Sequence, residues 1–190
     1  MDSREVMEIF KRTGAYLEGH FLFTSGRHGS NYMQCAKVLQ YPEYTIEFGR
    51  EIADYFRDRG VDTVIGPAMG GVVIAYEVAR QLGAKALFAE REKGVMTLRR
   101  ELKINPGEKV LVVEDVITTG GSVREVIDIV EKSRGELVGV GVIVDRTGGK
   151  IDFGVPLKAV LFIELISYPP EECPICRTNI PLVKPGSRNL

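Results

Sequence analysis

Apolar positions fall into short blocks separated by glycine or charged residues, and the spacing inside each block changes along the chain. Near the start, Val6, Ile9 and Phe10 recur at helical spacing behind Asp2 and Glu5, whose side chains are placed to bond each other's backbone N–H groups. A first helix is expected there. Residues 19–41 mix small, polar and aromatic side chains without a clear period and read as loop and irregular strand. From Pro42 to Arg59 the residues Ile46, Ile52, Ala53 and Phe56 gather on one helical face, and Gly60 is placed to end it. Thr63-Val64-Ile65 then reads as a buried strand running into Gly66-Pro67. Val72 to Leu82 reads as a helix stopped by Gly83, and Ala86 to Ala89 as a second strand. Residues 90–105 form a charged connection. Lys109 to Val113, Leu137 to Val144 and Leu157 to Leu165 are three further strands, with a helix over Val123 to Lys132 between the first two. β-Branched strands alternating with amphipathic helices predict an α/β fold with a mostly parallel central sheet flanked by helices. In such sheets ligands gather beyond the carboxyl ends of the strands.

Composition narrows the functional classes. With 44% hydrophobic and 27% charged residues over 190, the chain has the balance of a globular domain and none of the bias of a disordered or fibrous one. The 25 basic and 26 acidic residues nearly cancel, so the basic excess of a phosphate-gripping nucleic-acid binder is missing and no nucleic-acid partner is expected. No apolar run approaches the roughly 20 residues that span a bilayer, so no membrane partner is expected either. The N-terminus does not read as a signal peptide, and three cysteines cannot form a fully paired disulfide framework. A cytoplasmic location with reduced thiols is expected.

The strand ends carry the candidate chemistry. After Lys109–Val113 comes Glu114-Asp115-Val116-Ile117-Thr118-Thr119-Gly120-Gly121-Ser122, two acids followed by a glycine and hydroxyl loop that opens a helix. Backbone N–H groups, the helix N-terminus and the hydroxyls of Thr118, Thr119 and Ser122 suit an anion. The acids suit hydroxyl donors or a phosphate-bound Mg²⁺. A ligand with phosphate at one end and ribose hydroxyls at the other satisfies both halves. Ser122 with Glu125 also has capping-box spacing. Gly66-Pro67-Ala68-Met69-Gly70-Gly71 is a second strand-to-helix turn of the same kind, hence a second anion site or simply a tight turn. Walker and dinucleotide glycine patterns are missing. Arg146 closes an apolar strand behind Asp145; its fork fits a carboxylate ligand, or an ion pair with a neighbouring acid. Arg91, Lys93, Arg99 and Arg100, interspersed with Glu90 and Glu92, make either a solvated loop or a cationic lid.

The string from Val110 to Ser122 resembles the phosphoribosyl diphosphate (PRPP) motif of type I phosphoribosyltransferases. Gly19-His20-Phe21, Thr24-Ser25-Gly26-Arg27-His28, the 66–71 turn, Arg91 to Arg100 and Val144-Asp145-Arg146 extend the resemblance to the orotate branch, in order over roughly residues 10–170. The resemblance implies the type I phosphoribosyltransferase fold: one domain over residues 1–170 with a small hood built from about 1–40 plus a C-terminal part, and a tail over 171–190. It implies PRPP and orotate as substrates, Mg²⁺ as cofactor, and orotidine 5′-monophosphate and pyrophosphate as products in UMP biosynthesis. Residues 114–122 then bind PRPP, Ala68 to Gly71 form the pyrophosphate loop, Thr118 and Arg146 contact orotate, and Asp115, Arg91 and Lys93 serve catalysis. The family's lid reaches the neighbouring subunit's site, which implies a homodimer. The alternatives are a different base or a non-enzymatic PRPP sensor.

Three departures stand against the family pattern. Gly70 occupies a position where a lysine is common, Thr24 replaces a lysine ahead of Ser-Gly-Arg, and the lid has Glu92 for a lysine and holds no histidine. Arg27 with the backbone of Ser25 and Gly26 is expected to face the substrate, and His28 to support that loop. Cys173 and Cys176 have metal-ligand spacing, but a structural zinc needs about four ligands. Cys35 is far away in sequence, and His20 and His28 are assigned to the substrate region, so no protein-bound metal is expected and the C-terminus reads as a reduced, extended tail.

Overall fold

The computed structural model describes residues 1–23 and 25–185. Thr24, and Gly186 and Ser187 of the expected extended tail, lie outside the described residues. In chain order the elements are α1 (Ser3–Arg12), β1 (Tyr16–Leu22), β2 (His28–Met33), α2 (Ala36–Leu39), α3 (Pro42–Phe56), β3 (Thr63–Pro67), α4 (Gly70–Leu82), β4 (Lys85–Glu92) and β5 (Val95–Thr97). They continue with β6 (Lys109–Ile117), α5 (Gly121–Lys132), β7 (Glu136–Asp145), β8 (Leu157–Phe162), β9 (Ser167–Tyr168) and β10 (Leu182–Val183).

The main sheet runs β5-β4-β3-β6-β7-β8. Every neighbouring pair is parallel except β4 with β5, which form an antiparallel hairpin. Both faces are covered, so the central strands are apolar throughout instead of alternating. On β6, Leu111 and Val113 face a core shared with Phe10 of α1, Phe48, Ile52 and Phe56 of α3, and Ile74 and Val78 of α4. Val110 and Val112 face the opposite core with Val123, Val126 and Val130 of α5. The period-2 geometry of a strand splits this one apolar run between two layers. Each fully buried Phe or Ile contributes about 1.5–3 kcal/mol, so both layers are held by many comparable contacts.

Helix ends follow local chemistry. The Asp2–Glu5 capping box forms as expected: Asp2 Oδ1 accepts from the Glu5 N–H at 2.9 Å, and Glu5 Oε2 accepts from the Asp2 N–H at 2.8 Å. α3 ends through a 3-10 turn at Arg57–Arg59 and stops at Gly60, whose φ of 65° is left-handed. The Ser122–Glu125 capping box does not form. The cap falls on Gly120, so Ser122 lies inside the helix and Glu125 reaches Arg91 instead.

A second sheet, β10-β1-β2-β9, is the hood. Residues 19–41, expected as loop and irregular strand, contain most of a regular hairpin, with β1 antiparallel to β2. The segment read as a tail contributes to the same sheet, since β10 pairs in parallel with β1 through His20↔Leu182 and Phe21↔Val183. The charged connection at 90–105 is also partly strand. Glu92 pairs with Val95 around Lys93 and Gly94, both with positive φ (50° and 85°), which makes a two-residue hairpin turn.

Candidate active site

Ordering the five parallel strands as β4-β3-β6-β7-β8 places the first strand, β3, beside the third, β6. The chain leaves these two strands toward opposite layers, α4 on one face and α5 on the other, and a crevice opens between their carboxyl ends. The two loops singled out in the sequence, 66–71 and 114–122, are the loops that leave β3 and β6.

Glycines make their contact possible. A Cβ added to Gly66 would lie 2.5 Å from the Gly71 carbonyl oxygen and 2.8 Å from that of Val113. A Cβ on Gly70 would run into the Asp115 carboxylate, and one on Gly71 would come within 3.2 Å of Glu114 Oε1. The bare backbone of the 66–71 turn thus lies directly against the acidic end of β6. The expected pyrophosphate-loop residues Ala68, Met69, Gly70 and Gly71 and the acids Glu114 and Asp115 form one continuous surface.

Asp115 Oδ1 accepts from the Val116 N–H at 2.8 Å, and Glu114 Oε1 accepts from the Asp115 N–H at 3.0 Å. Burial raises the Asp115 carboxyl above the usual carboxylate range, against the lowering effect of its hydrogen bonds. Thr118 and Thr119 are exposed, Gly120 takes φ 75°, and the first backbone bond of α5 runs from the Arg124 N–H to the Gly120 carbonyl at 2.9 Å. The positive end of α5 is therefore turned to the Thr118–Gly121 loop. Arg124 also stacks over Phe153 at 5.0 Å and donates to the Asp152 carbonyl at 2.9 Å, fixing the 151–153 segment beside the loop.

Arg146 sits at the end of β7, one strand over, with its backbone N–H bonded to Ile117 O at 2.9 Å. Asp145 gives it no ion pair. That carboxylate is fully buried and accepts from the Thr147 N–H and Oγ1, both at 2.7 Å, and from the Gly149 N–H at 3.2 Å. The Arg146 guanidinium lies instead over the rings of Phe23 (4.8 Å) and Tyr32 (5.8 Å) from the hood, and its Nε is buried without a hydrogen-bond partner. Burial lowers its pKa, opposed by nearby Tyr32 and Cys35. Sequence reasoning did not single out Phe23 and Tyr32, because aromatic residues in an aperiodic segment carry no positional signal. Arg27 does not face the crevice: its Nε donates to Ser167 Oγ at 2.9 Å and its Nη2 to Ser167 O at 2.6 Å, tying β2 to β9.

The lid cations divide. Arg91 pairs with Glu125 at 2.5 Å, Arg99 with Glu92 at 3.4 Å, and Arg100 with Glu90 at 3.1 Å. Lys93, at the exposed tip of the hairpin, makes no ion pair among the described residues. Cys35 is buried beneath the site with its Sγ 3.7 Å from the Asp115 carbonyl oxygen, and burial pushes its thiol well up, so it is no nucleophile.

Residues 36–153 match the family model described as the phosphoribosyl transferase domain. The chain is 58% identical over 190 residues to orotate phosphoribosyltransferase of Thermoanaerobacter sp. (strain X514), and 56% identical over 190 residues to that of Caldanaerobacter subterraneus subsp. tengcongensis. Both alignments cover 100% of each chain. The solved orotate phosphoribosyltransferase of Aeropyrum pernix superposes with a TM-score of 0.72 at 26% identity, covering 83% of this chain and 93% of that one. With the loops of β3 and β6 and the arginine of β7 arranged around one crevice, the chain belongs to the orotate phosphoribosyltransferase family and has the type I phosphoribosyltransferase fold.

Proposed function

We propose that the crevice between β3 and β6 transfers the ribose 5-phosphate group of PRPP to N1 of orotate, releasing pyrophosphate and orotidine 5′-monophosphate for pyrimidine synthesis. The observation that carries the choice of base is Arg146. A half-buried guanidinium with an unpartnered Nε, held over two aromatic rings, is a donor set waiting for a carboxylate. Orotate supplies one. Uracil or a purine does not, and would leave the Nε buried and unsatisfied.

The remaining assignments follow the same surface. Thr118, Thr119, Gly120, Gly121 and Ser122 with the end of α5 hold the 5′-phosphate, and Val116 and Ile117 carry the chain from the acids to that loop. Glu114 and Asp115 accept from the ribose hydroxyls, and their charge favours the positive ribose formed as the bond to pyrophosphate loosens. Residues 68–71 receive pyrophosphate through backbone N–H groups, since Gly70 offers no side chain. Arg91 and Lys93 close from the hairpin to offset the negative charge of the leaving group and to exclude water, which would hydrolyse the cation. Thr118 lies on the orotate side. No side chain forms a covalent intermediate; positioning and electrostatics do the work.

The donor set fits Mg²⁺. Glu114 and Asp115 offer hard oxygen ligands at the end of β6, beside the bare backbone of the 66–71 turn. When bound with PRPP, Mg²⁺ neutralises charge building on the pyrophosphate oxygens. Among the described residues no helix is long and apolar enough to cross a membrane. Met69, Val73 and Tyr76 form an exposed apolar stripe at the start of α4, which supports a homodimer sharing its lids across the interface.

A base panel tests the assignment. The chain, PRPP and Mg²⁺ are incubated separately with orotate, uracil, adenine and hypoxanthine, and nucleotides are separated by chromatography. Nucleotide formed from orotate alone is expected. Nucleotide from uracil or a purine at a comparable rate overturns it, and nucleotide from none of the four, with PRPP still bound, points to a PRPP sensor.

A further inference from the structure

The hood holds a cluster that the transfer reaction does not use. His20 on β1, His28 on β2, Cys173 between two consecutive 3-10 turns and Cys176 on the second of them bring one potential ligand atom each to within 4.8 Å of all the others. His20 Nε2 is 3.1 Å from His28 Nδ1, 3.5 Å from Cys173 Sγ and 3.6 Å from Cys176 Sγ, and His28 Nδ1 is 3.2 Å from Cys176 Sγ. The two sulfurs are free thiols, not a disulfide. His20, His28 and Cys173 are buried.

We propose that these four residues bind one zinc ion in a tetrahedral Cys2His2 site that fastens the C-terminal segment to the hood. With Zn–N about 2.05 Å and Zn–S about 2.3 Å, a tetrahedron separates nitrogen from nitrogen by ~3.3 Å, nitrogen from sulfur by ~3.6 Å and sulfur from sulfur by ~3.8 Å. The nitrogen pair and the three nitrogen–sulfur pairs lie within a few tenths of an ångström of those values. The rings are set at 71° with centroids 5.0 Å apart, so they splay around a shared point and do not stack.

Ring orientation agrees. His20 Nδ1 lies 3.3 Å from the Ile180 carbonyl oxygen. A carbonyl only accepts, so that nitrogen carries the proton and Nε2 presents its lone pair to the cluster, the arrangement that orients metal-bound imidazoles. Two thiolates and two neutral imidazoles balance a divalent ion, so the buried group is neutral. Two sulfurs with two nitrogens in a tetrahedron select zinc over hard cations such as Mg²⁺ or Ca²⁺.

The position explains the need. The hood is a four-stranded sheet whose outer strands β9 and β10 are two residues long, and Phe21 and Met33 are the only large apolar side chains buried among the described residues of β1 and β2. Small units with so little apolar burial need a staple. The cluster ties β1 and β2 to residues 173–176, between β9 and β10. It also steadies Phe23 and Tyr32, the rings that hold Arg146. Zinc here is a positioning element, remote from the reacting atoms.

The test uses full-length chain freed of any affinity tag and kept reduced. Elemental analysis is expected to give about one zinc per chain that survives gel filtration. A thiol-blocking mercurial should release it in step with sulfur modification. Cobalt exchanged into the wild type should give the intense visible bands of a tetrahedral site together with sulfur-to-cobalt charge transfer. Cys176→Ser, at an exposed position, should weaken or abolish both zinc retention and charge transfer, and metal removal should raise KM for orotate several-fold more than KM for PRPP. Zinc below about a tenth of an equivalent with no uptake on refolding in zinc overturns the proposal. So does iron in place of zinc, or a Cys176→Ser chain with unchanged metal content and cobalt spectrum. The wild-type cobalt spectrum decides the matter even if the variant fails to fold.

Discussion

Replacing Arg146 with alanine removes a donor fork that the fold holds ready. Its Nε is buried and unpartnered, Asp145 is occupied by Thr147 and Gly149, and no carboxylate lies within ion-pair distance of Arg146 among the described residues. All of its hydrogen-bonding capacity on that side is available to ligand. A hydrogen bond to a charged group contributes about 1.5–3 kcal/mol. A two-pronged contact sharing one ion pair then contributes about 3–4 kcal/mol, and at about 1.4 kcal/mol per factor of ten this predicts a loss of ~10²- to 10³-fold in kcat/KM for orotate. Folding responds differently. The contacts over Phe23 and Tyr32 contribute about 0.5–1 kcal/mol each, while deleting an unsatisfied buried donor returns about 1–3 kcal/mol. The two nearly cancel, so Tm should move by no more than about 4 °C. Steady-state kinetics with either substrate varied, together with calorimetry, read both quantities. KM for PRPP should change by less than about threefold. Unchanged kcat/KM for orotate, or an equal loss for both substrates with a large fall in Tm, would refute the assignment of Arg146 as the orotate clamp.

Three further outcomes are expected. Asp115→Asn keeps the size of the side chain but not its charge, and should lower kcat/KM for PRPP by about 10²-fold; because burial raises the wild-type carboxyl, the wild-type profile should lose activity as pH falls through a value above the ordinary aspartate range, and the variant should lose that limb. Gly120→Ala places a side chain at φ 75°, against Ile151 Cδ1 and 3.0 Å from Phe153 Cζ, and should cost at least about 1–2 kcal/mol in denaturant unfolding and weaken PRPP binding measured by calorimetry. Glu108 is lowered from 4.5 to about 2: burial opposes the shift, but hydrogen bonds from Lys85, Asn105 and Thr63 outweigh it. A lowered acid stabilises above its unfolded pKa and loses that contribution as pH falls through the folded one, so the roughly 3 kcal/mol advantage of wild type over Glu108→Gln should shrink between pH 4.5 and pH 2 in chemical denaturation, and a constant gap would contradict it.

The parallel core was legible because both of its layers leave marks in one dimension. Val110 to Val113 is apolar without interruption since each face of β6 is covered, and the glycines of the two loops flag backbone contact that only their small size permits. The family resemblance implied a hood over about residues 1–40 plus a C-terminal part, but its regular strands were not legible in the residue pattern. β1 and β2 alternate little in burial, because their polar side chains meet a histidine–cysteine cluster and the ligand crevice instead of a plain core. The β4–β5 hairpin hid behind its charges, since Glu90, Arg91 and Glu92 are solvated or paired across elements and not stacked on an apolar face. The Cys–His cluster joins residues 153 and 156 positions apart. Spacing rules detect ligands close together in the chain, and nothing in the sequence of Cys173-Pro174-Ile175-Cys176 points to His20 and His28. Gly120 took the cap from Ser122 because a left-handed residue was needed to turn the chain from β6 into α5.

The β3–β6 crevice is proposed to join orotate to PRPP without a covalent intermediate. The most direct measurement follows orotate absorbance and pyrophosphate release together, in complete mixtures and in mixtures lacking PRPP, Mg²⁺ or the chain. Loss of orotate is expected only in the complete mixture, with one pyrophosphate released per orotate consumed. Pyrophosphate released from PRPP without orotate at the same rate, or orotate left intact under conditions where PRPP binds, would contradict it.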